Sequence, residues 1–171
     1  MPRVLRTIAL VLSLGLPAVA QADGLAGQAD AQALKDMLTG DAKGAAKANP
    51  QCKLFSVAEM TSYIGAPSSA GGNAAMGFGC QWIAPGTGGN NLGDIIVSVV
   101  PAEYYVQPSL ADGYKDLEGF GVKAFVVPEM GGWAAGSIVG NDAVRVSLVG
   151  PAATETSTIA LLKEAIKRRH P

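Results

Sequence analysis

The chain has 171 residues, a net charge of −1 and only 16% charged side chains. So weak and balanced a charge excludes a nucleic-acid binder and a protein held electrostatically to anionic membranes. Aromatics make up 6% and glycine is frequent at 22 residues, so a core here has to be built from Val, Ile, Leu and Ala.

The first 22 residues read as an export signal. Arg3 and Arg6 form a basic start, TIALVLSLGL is an apolar run of about ten residues, and small residues follow Pro17. That run is well short of the roughly 18–20 residues needed to span a bilayer. Two A-x-A sites overlap, and cleavage is expected after Ala22 or Ala20. The exported chain then carries 11 Lys and Arg against 14 Asp and Glu, a net charge of −3. A periplasmic or secreted location is expected, without a transmembrane anchor after cleavage. No cysteine follows the apolar run, so no lipoprotein acceptor is expected.

Residues 23–50 are rich in Ala, Gly, Lys and Asp and read as an arm and linker, with a short helix expected over 29–38. A single α/β domain is expected over 51–171. Its first helix is announced by LFSVAEMTSYIG. Ser56 and Glu59 make an S-x-x-E capping box, Phe55 and Met60 take the hydrophobic-staple positions, and Gly65 fits the position after the last turn. A small-residue loop over 66–77 leads to a strand over 78–84. PGTGGNNLG is a turn, and DIIVSVV, apolar apart from Ser98, reads as a central strand covered on both faces.

Residues 101–121 are a long irregular connection. Strands follow over 122–127, 133–139 and 142–149, the last two joined at Gly140-Asn141. In the last strand Val144, Val146 and Leu148 alternate inward, with Ala143, Arg145 and Ser147 outward. A helix closes the chain over 154–169, with Ile159, Leu162, Ala165 and Ile166 as its apolar stripe. The expected fold is α+β: an antiparallel sheet of about five strands with an N-terminal and a C-terminal helix packed on it.

Cys52 and Cys80 are the two cysteines, and in an oxidising compartment such a pair forms a disulfide. A metal site would need more ligands, and the single histidine, His170, is the penultimate residue. A nucleophilic thiol would need a base nearby. Gly119, Gly121 and Ala124 satisfy G-x-G-x-x-A, but the motif opens a strand where dinucleotide binding requires a helix. No cofactor and no metal are expected.

Three sets of landmarks occur together: CKLFSVAEM from Cys52, ending at Ile64 and Gly65; GCQW from Gly79 to Trp82; and GFGVKA from Gly119 to Ala124, followed by the three-strand meander and helix. From Cys52 to about Arg169 the chain resembles a family of small exported bacterial proteins and lipoproteins of an uncharacterised domain. The resemblance implies a two-cysteine α/β sandwich, similar to PsbP-type folds or extracellular sensor domains. It brings no catalytic residues.

Candidate functional residues are aromatic. Tyr104, Tyr105, Tyr114 and Phe120 fall within 17 residues of the irregular connection, and Trp82 and Trp133 join them as six of the ten aromatics. Irregular segments on a rigid sheet commonly carry binding, and Tyr and Trp offer contact area with a polar tip. The other reading is that they cover the sheet as core. The expected function is a non-catalytic periplasmic or secreted protein that recognises a small ligand or a protein partner over the sheet. The alternatives are an accessory or inhibitory subunit of an envelope complex, tethered by the arm, and a small enzyme using Asp112, Asp116 or Glu118 as acid and base.

Overall fold

The computed structural model describes residues 49–74 and 79–169. The export signal, the helix expected over 29–38 and His170 lie outside the described residues.

The fold is α+β, with one antiparallel sheet of seven strands in the order β1-β2-β3-β7-β6-β5-β4. The strands are β1 (Gly72–Asn73), β2 (Cys80–Pro85), β3 (Asn91–Pro101), β4 (Lys115–Asp116), β5 (Val122–Glu129), β6 (Gly132–Val139) and β7 (Asp142–Val149). Seven replaces the expected five because β1 and β4 are two-residue edge strands. They lie inside stretches whose small residues and irregular pattern carry no period-2 signal. The five long strands are the five expected ones.

Helix α1 spans Val57–Ile64 and α2 spans Glu155–Arg168. Ser56 caps α1, its side chain accepting from the Glu59 N–H while Glu59 Oε2 accepts from the Ser56 N–H at 2.8 Å. Gly65 ends the helix at φ 79°, a left-handed backbone that glycine adopts without a Cβ clash. Thr154 and Ser157 make the matching box at the start of α2. The buried stripe of α2 is Thr158, Leu161, Leu162 and Ala165, with Ile159 and Ile166 at its half-buried margins. It is rotated from the expected stripe because Leu161, not Ile159, points at the sheet centre.

Both helices pack on one face. Register lines up the residues beneath them: Trp82, Ile95, Leu148 and Trp133 form one row, and Cys80, Val97, Val146, Ala135 and Val126 the next. Met60, Ile64, Leu161 and Leu162 close over these rows as the main core. Each fully buried large side chain there contributes about 1.5–3 kcal/mol. The covering of β3 is one-sided: Ile95 and Val97 are buried, whereas Ile96, Ser98 and Val100 on the other face are half-buried, so the expected two-sided cover is absent. Its apolar run reflects β propensity as well as burial. Ala143, expected outward, is buried.

Cys52 and Cys80 are joined by a disulfide, their Cα atoms 5.1 Å apart. It ties the 3-10 turn Pro50–Lys53, just before α1, to the first residue of β2. Beside it the Gln51 amide takes the place of a strand residue. Its Nε2 donates to Val99 O and its Oε1 accepts from the Val99 N–H, both at 2.9 Å. At the far end of the helical layer Arg168 stacks over the Phe55 ring at 4.7 Å, donates to Leu54 O and pairs with Glu59 at 2.8 Å. The end of α2 is thereby bolted to the start of α1.

Candidate functional site

The sheet order makes the connection over 101–121 long. After β3 the chain has to reach the far edge, β4, past the positions later filled by β7, β6 and β5. It leaves Pro101 in a single 3-10 turn, Ala102–Tyr104, where the Ala102 N–H donates to Asn141 O at the β6–β7 turn. Tyr105 is extended, so side chains alternate there: Tyr105 turns to the sheet while Tyr104 and Val106 turn away.

Tyr105 and Tyr114 fasten the connection to the face opposite the helices. Both rings pack on Phe125, Tyr114 stacked at 6.0 Å and Tyr105 tilted at 6.2 Å. Phe125 lies across Gly136 on the neighbouring strand, where a Cβ would come within 2.7 Å of its ring, so glycine is required for this approach. Arg145 reaches over the ring with its guanidinium 5.9 Å from the centroid and pairs with Glu129, which also accepts from Ser147 Oγ at 2.9 Å. Phe125, Val127 and Ala134 thus form a second, smaller core with the two tyrosines as its lid.

Polar tips finish the attachment. Tyr105 Oη donates to Lys123 O, Gln107 Nε2 donates to Tyr114 Oη, and Tyr114 Oη donates to Asp116 Oδ1 at 2.6 Å. Burial of the phenol pushes the Tyr105 pKa up to about 12. Tyr114 is also raised, by desolvation first and then by its bond to Asp116. In these two the phenol is a structural donor.

The residues that face away are apolar. Tyr104 is 60% exposed, Val106 73% and Leu110 98%. Met130, in the β5–β6 turn, is fully exposed as well. It follows Pro128 by two residues, and Pro128 is the residue against which Gly113 of the connection packs. The carboxylates of the connection are dispersed: Asp112 and Glu118 are exposed, and Asp116 is held by Tyr114. Among the described residues no group of three or more His, Cys, Asp or Glu side chains is placed to hold a metal. Among them, too, no helix is long and apolar enough to cross a membrane.

The six aromatics singled out by sequence fall on two sides of the sheet. Tyr104, Tyr105 and Tyr114 share the connection on the outer face. Trp82 is 1% exposed, edge-on to Phe55 at 6.3 Å, and Trp133 is half-buried against the same main core, so both lie on the helical side. Phe120 turns to that side also, against the main core. The spacing of Cys80 and Trp82 carried a usable signal: residues two apart in a strand share a face, and a cysteine bonded next to α1 puts Trp82 beneath the helices. Val106, Leu110 and Arg145 were missed because none stands out by residue type, and Phe125 because it falls in an apolar strand outside the irregular connection. Comparison with protein-family models, curated proteins and solved structures finds no match for this chain.

Proposed function

We propose that this chain is an exported, non-catalytic binding protein that docks a protein partner through the outward side of residues 101–121. The observation that carries the reading is the pairing of exposed and anchored side chains. Tyr104, Val106 and Leu110 present apolar surface to solvent from a segment that Tyr105 and Tyr114 pin to the sheet. A pinned segment loses little entropy on binding, and apolar residues on it gain by being covered. A small exported protein with a disulfide next to its first helix also suits the uncharacterised two-cysteine family that its landmarks resemble, and a periplasmic or secreted location.

Photo-crosslinking tests this directly. A photoreactive residue in place of Val106 is expected to give one discrete protein adduct in the envelope of the native host. The same residue in place of Val57, exposed on α1, is expected to give none. Leu110→Ser should cut the adduct about fivefold or more at an unchanged melting temperature, since the side chain is almost fully exposed here and a covered interface residue that matters is commonly worth about 1 kcal/mol or more. Equal adducts at both positions, or none at 106, would overturn the reading.

A further inference from the structure

A cavity of about 340 Å³ opens on the helical side of the molecule, lined by Gly119, Phe120, Gly121, Val139, Lys163 and Ile166. It lies on the opposite side of the sheet from the docking residues and is independent of them. We propose that it is a binding site for a small amphipathic anion, a carboxylate carrying a short acyl or aryl group.

The walls and the charge are supplied by different elements. Phe120, Val139 and Ile166 give an apolar lining, and the Phe120 carbonyl is fixed by a 2.6 Å bond from the buried Ser137 hydroxyl. Lys163 and Ile166 stand three apart on α2 and so share its cavity-facing side. The volume is at the small end of ligand pockets.

The ion pairing of α2 singles out Lys163. Lys167 faces Glu164, Arg168 faces Glu59 and Glu164, and Arg169 faces Asp142. Lys163 forms no ion pair among the described residues. Beyond Ile166, Arg169 Nε is buried, 3.4 Å from Asp142 Oδ2, and makes no hydrogen bond. Neither residue lines the cavity, and Arg169 stays matched to its own carboxylate, so Lys163 is the cation left over on α2 among the described residues. An apolar cleft with an uncompensated ammonium at its edge selects a ligand with an apolar body and a negative head.

Octanoate is the probe, with octylammonium as its charge-reversed control, added to the isotope-labelled exported chain. Octanoate is expected to shift the amide signals of Gly119, Gly121 and Lys163 saturably, and octylammonium to leave them in place. Lys163 is exposed, so Lys163→Gln should fold unchanged and weaken octanoate binding by roughly five- to tenfold. No shift at millimolar octanoate would overturn the site. Equal shifts with both probes, or an undiminished affinity in Lys163→Gln, would overturn its choice of anions. Magnetisation transfer from Phe120 to residues 23–48 without any probe would also overturn it, by showing that the chain fills the cavity itself.

Discussion

Tyr104 and Tyr105 are neighbours in sequence and opposites in structure. One is solvent-facing, and the other rests on Phe125 with its hydroxyl on Lys123 O. Burial raises the Tyr105 pKa from 10.0 to about 12, so the neutral phenol is the form the fold favours. That stabilisation is complete below pH 10 and lost as pH rises through about 12. An alkaline absorbance titration should therefore show a tyrosine phase near 12 that Tyr105→Phe abolishes; a phase that survives the substitution would contradict the assignment. Sequence showed that aromatics crowd into 17 residues but not which way each one turns. Direction depends on where the chain becomes extended, and on Gly136 of β6, whose missing side chain makes room for Phe125 on the adjacent β5.

At the level of elements, helix α1 was legible to its caps because capping is local chemistry, whereas the Thr154–Ser157 box of α2 was not read from sequence. Ser56, Glu59 and Gly65 do what their types and spacing require. The short edge strands β1 and β4 were not legible, since two residues show no periodicity and their pairing is decided by β2 and β5. The cap of α1 also sets a pH dependence. The Ser56 backbone N–H first, then the Ser56 hydroxyl and Arg168, hold the Glu59 pKa down from 4.5 to about 2. The stabilisation is full above pH 4.5 and disappears as pH falls through about 2. Melting temperature should fall less steeply across that window in Glu59→Gln than in the native chain. Identical slopes would mean that the carboxylate contributes nothing through its charge.

For the whole molecule, the sheet divides into a helical face and an aromatic face. The main core and the disulfide belong to the first, and the exposed Tyr104, Val106 and Leu110 sit on the segment that crosses the second. This division was half legible. Alternation in β7 located the core side, but the order β3-β7-β6-β5-β4, which sends residues 101–121 across the other side, arises from pairings far apart in sequence. The Cys52–Cys80 bond closes a separation of 28 residues, so Cys52→Ser with Cys80→Ser should cost about 3–4 kcal/mol in denaturant unfolding. A loss under about 1 kcal/mol would show that the unfolded chain is already restricted there.

The Gln51 amide on Val99 gives the disulfide a second role. Val99 lies past the point where β2 stops pairing with β3, and without Gln51 its N–H and C=O would stand open at a strand edge. Such an edge recruits strands from other molecules. Cys52 is the residue next to Gln51, so its bond to Cys80 keeps the stopper in place. In the reduced protein the stopper is free to leave, and light scattering from the double-serine variant should rise with concentration before any global unfolding. Oxidation would then do more than stiffen this fold: it would keep a strand edge closed.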